Sequence, residues 1–204
     1  MIIEALTRRR EAVLEKWQRL SAAAYPVETA RFMKNRDVFA NPAGFALSDA
    51  MDAVIDYLCN QPEGVRSEAA DGGNRFGAGA GVADAGRENL DARLDTLVRL
   101  RAVQDLTPAA AVSFIFFLKG VLREEFFDML LAPAAFKEFL AVESGIDDIA
   151  LTVFDLYARC REKLFEVRAR ELESNHYRLL EKARITTKRE PPPSHEPPPS
   201  IECL

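Results

Sequence analysis

Apolar side chains recur along this chain every three to four residues, the spacing of one face of an α-helix. No run of β-branched residues alternates with period two between turn signals, so strands are not expected. Across residues 2–23, Ile2, Ala5, Leu6, Ala12, Val13, Leu14, Trp17 and Leu20 make one stripe, with charged residues opposite. Tyr25-Pro26 ends it, and Arg31-Phe32-Met33 reads as a short turn. Asn41-Pro42 then places a capping side chain before a proline at the first helical position. The helix it opens carries Phe45, Leu47, Met51, Val54, Ile55 and Leu58. A further stripe holds Leu90, Leu94, Leu97, Val98 and Leu100. Thr107-Pro108 repeats the cap-plus-proline device. The helix that follows is apolar nearly all round over 112–118, which predicts the buried centre of the fold. Ala132-Pro133 breaks it, and a short helix through Phe136, Phe139 and Leu140 is expected next. The last helix is predicted to start near Ser144 and to run on until the prolines. At 1.5 Å per residue it reaches roughly 60 Å, against about 35–40 Å for a domain of this size. It is therefore expected to project.

Glycine and proline divide the chain. Seven of the ten glycines fall between positions 64 and 86, where apolar periodicity vanishes. Residues 62–83 read as a flexible Gly-rich insert. Gly77, Gly79 and Gly81 are not a nucleotide loop: Val82 breaks the spacing, no strand precedes, and no Gly-Lys-Ser/Thr follows. Six of the eleven prolines lie in Pro-Pro-Pro-Ser-His-Glu-Pro-Pro-Pro-Ser, so residues 186–204 read as a disordered, extended tail. A single all-α domain over 1–185 remains.

The 204 residues are 48% hydrophobic and 29% charged, with a net charge of −5. That balance fits a globular protein and gives no basic face for nucleic acid. No uncharged stretch reaches the roughly 18–20 residues that span a bilayer, so no direct membrane insertion is expected. Three scattered cysteines suit a reducing cytoplasm rather than a disulfide scaffold. Cys203 lies two places too near the end for prenylation, since Ile201 stands where the cysteine would be.

Groups for chemistry are sparse. The two histidines, His176 and His195, fall on the charged distal helix and in the tail, so neither serves as a haem ligand in a core. No His/Cys/carboxylate set has metal spacing, and Ser113 has no neighbouring base. No cofactor, no metal and no catalysis are expected. Asp147-Asp148 read as complementing the dipole of the last helix. Phe114, Phe116, Phe117, Phe126 and Phe127 read as core. Three polar residues stand in apolar company. Arg101 and Gln104 continue the Leu90–Leu94–Leu97 stripe, and Lys119 follows Phe-Ile-Phe-Phe-Leu. With Asp155 as one possible partner, they form a candidate pocket or switch: Arg101, Gln104, Lys119 and Asp155. On the last helix, Val153, Leu156, Cys160, Leu164 and Val167 form a candidate dimer face.

A longer pattern runs through the core. Trp17 with Tyr25-Pro26 is followed by Phe39-Ala40-Asn41-Pro42-Ala43-Gly44, then Arg99-Leu100-Arg101-Ala102-Val103-Gln104-Asp105 and Thr107-Pro108. Residues 114–119, Ile146-Asp147 and Phe154-Asp155-Leu156-Tyr157-Ala158-Arg159-Cys160-Arg161-Glu162-Lys163 complete it. In these stretches the chain resembles the N-terminal domain of the RsbT co-antagonist proteins, the RsbRD N-terminal domain family. The resemblance implies an all-α, globin-like regulatory module of stress signalling that holds no haem and dimerises. In related regulators a helix leads on to a STAS domain. Here the Pro-rich tail follows instead, so a stand-alone member is expected.

The reading is thus a cytoplasmic, non-catalytic sensory or scaffolding module, all-α and globin-like or a related helical bundle. It would act as a homodimer and through a further protein partner that the sequence leaves unnamed. Two alternatives stay open. One is a small-ligand sensor for an anion or lipid in a haem-free globin-like pocket. The other is an accessory subunit of a larger complex, such as a membrane redox assembly.

Overall fold

The computed structural model describes residues 1–24, 41–60, 85–104 and 106–187, with side chains to position 184. The turn at 31–33, the insert at 62–83 and the tail from 188 onward lie outside the described residues. Those that are described form six α-helices and one 3-10 turn, with no strand among them. They are α1 (Ile2–Arg8), α2 (Arg10–Ala23), α3 (Pro42–Asn60), α4 (Ala85–Val103), α5 (Pro108–Glu125), the 3-10 turn Phe127–Leu131, and α6 (Pro133–Thr187). By contacts the chain divides into two units, Met1–Arg161 and Glu162–Leu204.

Both proline-marked starts hold. The Asn41 side chain accepts from the amide of Gly44 at 3.0 Å and opens α3. Thr107 keeps an extended backbone, its hydroxyl accepts from the amide of Ala110 at 3.2 Å, and Pro108 follows. Each cap satisfies a donor that the first turn leaves without a helical acceptor.

In the first unit α3 packs along α4, and α2 along α5. Trp17, Met51, Ile55, Leu90, Leu94, Leu97 and Leu118 are fully buried between them. On α6, Phe139, Val142, Ile146, Ile149, Val153 and Tyr157 are buried at spacings of three or four. That spacing is one helical face turned inward.

Four details differ from the periodicity reading. The stretch 2–23 is two helices, because Arg9 leaves helical geometry (φ −104°, ψ 18°). Its guanidinium donates to the carbonyl and carboxylate of Glu125, both at 3.1 Å. The break expected near Ser144 is absent, and α6 starts eleven places earlier, at Pro133. Gly145 costs a helix only about 1 kcal/mol, and the buried face runs straight through it. The α5 helix stops at Glu125, so the Phe-Phe-Asp-Met-Leu-Leu segment turns out of it. Finally, the five phenylalanines are not one core cluster. Phe114 and Phe126 are buried, whereas Phe116 is 48% and Phe127 66% exposed. Two residues on is about 200° around a helix, so Phe114 inward puts Phe116 outward.

The start of α1 is held from a distance. Glu138 on α6 accepts from the amides of Ile2 at 2.7 Å and Ile3 at 3.1 Å, and its carboxylate lies 3.2 Å from the Met1 amino group. Burial pushes this carboxyl up. The two amides and the amino group together outweigh it, so its pKa falls below the ordinary 4.5. A carboxyl depressed in the folded state stabilises above the unfolded pKa and loses that contribution as pH falls through the folded one. Glu138→Ala should therefore cost about 1 kcal/mol near neutrality. The gap from wild type should close below about pH 4.5 in urea titrations run at stepped pH. A gap independent of pH would show that the carboxylate does not hold α1.

Candidate functional site

Near its C-terminal end, α4 carries Arg101 inward, at 2% exposure. Its Nη1 donates to the carbonyl of Ala111 at 2.6 Å. Its guanidinium lies 4.3 Å from the centre of the Phe114 ring, a cation–π contact away from water. The Phe114 ring in turn stacks on Trp17, nearly parallel at 6.2 Å, and the Trp17 indole N–H donates to the Phe114 carbonyl. Three helices, α2, α4 and α5, thus meet through one cation and two rings.

Beside them is a cavity of about 20 Å³, lined by Ser21, Arg101, Leu106, Ser113, Phe114 and Phe117. It has room for about one water molecule. The hydroxyl of Ser21 is buried there and finds no hydrogen-bond partner among the described residues. Ser21 was not legible as an inward position, because the apolar stripe pointed to Leu20. The structure turns Leu20 outward, at 43% exposure, and Ser21 inward, four residues from Trp17 on the same face. The Trp17-to-Ser21 spacing was the signal available.

The four residues of the candidate pocket are not brought together. Arg101 lines the cavity, but Gln104 is exposed just beyond the end of α4 and Asp155 is exposed on α6. Lys119 lies two turns beyond Ala111 on α5, some 12 Å along the helix. Its ammonium meets both carboxylate oxygens of Asp147, at 2.7 and 2.8 Å. Asp147 therefore pairs with a lysine in mid-helix and does not sit at a helix start. A parallel contact joins Arg123 to Glu143, at 2.7 Å. The two pairs step four residues up α5 and four down α6, so these helices run antiparallel here.

Of the candidate dimer face, Val153 is fully buried in the first unit. Leu156, Cys160 and Leu164 are half-buried, and Val167 is 50% exposed. In the second unit every described residue from 165 to 184 is exposed, among them Phe165, Leu172, Leu179 and Leu180.

A wider cleft of about 410 Å³ is lined by Asp56, Tyr57, Asn60, Asn89 and Arg93 at the facing ends of α3 and α4. Its charged members are engaged: Arg10 bonds Asp56, and Arg93 reaches Asp49 at 2.7 Å. Among the described residues no group of three His, Cys, Asp or Glu side chains is placed to hold a metal ion. No helix among them is long and apolar enough to cross a membrane.

No curated protein and no solved structure matches the chain. Helices α3 to α5, the buried Arg101 between α4 and α5, and the capped Thr107-Pro108 start fall within the stretch that a family model does match. Residues 11–172 fit the RsbT co-antagonist protein rsbRD N-terminal domain, and the chain belongs to that family.

Proposed function

We propose that this chain is a non-catalytic regulatory module that works through contacts between protein chains and does so as a homodimer. Its family is one of stress-signalling regulatory domains. The observation that carries the reading is the second unit. Residues 165–184 are exposed throughout, yet Phe165 is 57%, Leu172 69% and Leu179 64% open to water. Helices of this length owe most of their stability to packing an apolar face, not to propensity. Sedimentation equilibrium of the full chain across a dilution series tests it. Twice the 22.8 kDa chain mass is expected; a single-chain mass throughout would remove the homodimer.

A further inference from the structure

We infer that the distal part of α6 winds against the same part of a second copy as a parallel, in-register, two-stranded coiled coil. Its seam is Phe165, Ala169, Leu172, His176, Leu179 and Ala183. The inference rests on the homodimer proposed above and assigns its contact surface and direction.

Three observations carry it. The first is spacing. The six seam positions step by four, three, four, three and four residues, an a/d repeat of seven with one polar member. All six are exposed, on a helix with no break between them. Because 3.6 does not divide seven, such a line drifts about 20° per repeat on a straight helix. It stays on one face only when the helix supercoils around a partner of the same period. A second copy supplies that period by construction.

The second is charge. Glu166, Glu173 and Leu180 flank the seam on one side, and Arg168, Asn175 and Lys182 flank it on the other. In a parallel pair, each flank meets the opposite flank of the other helix five residues on. Arg168 then faces Glu173 of the second copy, and Asn175 faces Leu180 of the second copy. An antiparallel pair brings like flanks together, glutamate beside glutamate and arginine beside lysine. The charge pattern selects the parallel arrangement.

The third is His176. In register, it meets the His176 of the second copy in a layer of its own. A slip of one repeat would set it against Ala169 or Ala183. A single polar residue at such a position fixes register at some cost in stability. Leu164 and Val167 lie off this seam.

The test uses the full chain. Leu172→Glu should weaken dimerisation at least about 100-fold, since it sets two carboxylates in an apolar layer. The melting of the first unit should stay unchanged. Arg168→Glu and Glu173→Arg should each weaken the dimer by about ten-fold, and the double variant should restore it. For direction, Ala169→Cys is placed in a Cys59→Ser/Cys160→Ser/Cys203→Ser background and oxidised, since an antiparallel pair over this seam would hold the two thiols about 15 Å apart along the axis. A covalent dimer is expected. A wild-type chain of single mass would overturn both this inference and the homodimer. A dimer indifferent to Leu172→Glu would overturn the seam alone. A dimer that resists cross-linking at position 169 would overturn the parallel register.

Discussion

Phe114→Ala should lower folding stability by about 3–5 kcal/mol, measured by urea denaturation. The side chain is 1% exposed and stands at the meeting point of three helices. Its removal takes the transfer free energy of a phenyl ring and leaves a void that close-packed neighbours fill only in part. It also takes the stacking surface of Trp17 and the ring beneath Arg101. Phe116, two residues on, makes the control. It is 48% exposed, so Phe116→Ala should cost less than about 1 kcal/mol in the isolated chain. Equal losses at the two positions would refute the placement of the core.

Arg101→Ala should cost about 3 kcal/mol, the second largest effect expected. The Ala111 carbonyl, a helix residue that also accepts from the amide four places on, would lose its charged second donor, worth about 1.5–3 kcal/mol. The contact with the Phe114 ring, away from water, adds about 2 kcal/mol. The emptied volume adds to these, while relief of a buried charge subtracts. Lys119→Ala is the informative comparison. Both residues are cations on apolar stripes, and both stood out for the same reason. Lys119, however, reaches Asp147, whose side chain is half exposed. An ion pair so open to solvent contributes about 0–1 kcal/mol. Chemical denaturation of the two variants side by side decides it. A Lys119 loss as large as that of Arg101 would contradict this assignment of roles.

That pair of residues shows what the sequence could and could not yield. The stripe Leu90–Leu94–Leu97 continued by Arg101 was enough to place a guanidinium inside, since helical period alone fixes the face. Which residues would surround it was not legible. Ala111 and Phe114 follow a turn whose course depends on packing, and the acceptor is a backbone carbonyl, which every residue owns. Lys119 was legible as needing a partner, but the choice of Asp147 over Asp155 depends on how far α5 and α6 slide past each other. Period does not encode that offset. The same limit explains α6. The start at Pro133 was marked, and the expected division near Ser144 gives way to one helix whose inward face runs on without interruption. Val153 joined the candidate dimer face because it is apolar and lies on the long helix. Its burial shows that one helix presents two apolar faces in succession, the first spent on its own core and the second left open.

The carboxylate of Glu138 also says something about the order in which the molecule comes apart. With seven residues, α1 is too short to persist by itself. Its first turn is pinned by a group 136 positions further along, so this stitch closes only after the intervening chain has been drawn in. It should be among the first to loosen. Native-state hydrogen exchange at the amides of Ile2 and Ile3 would then run ahead of the α3–α4 layer, making this corner the low-energy door through which the bundle breathes.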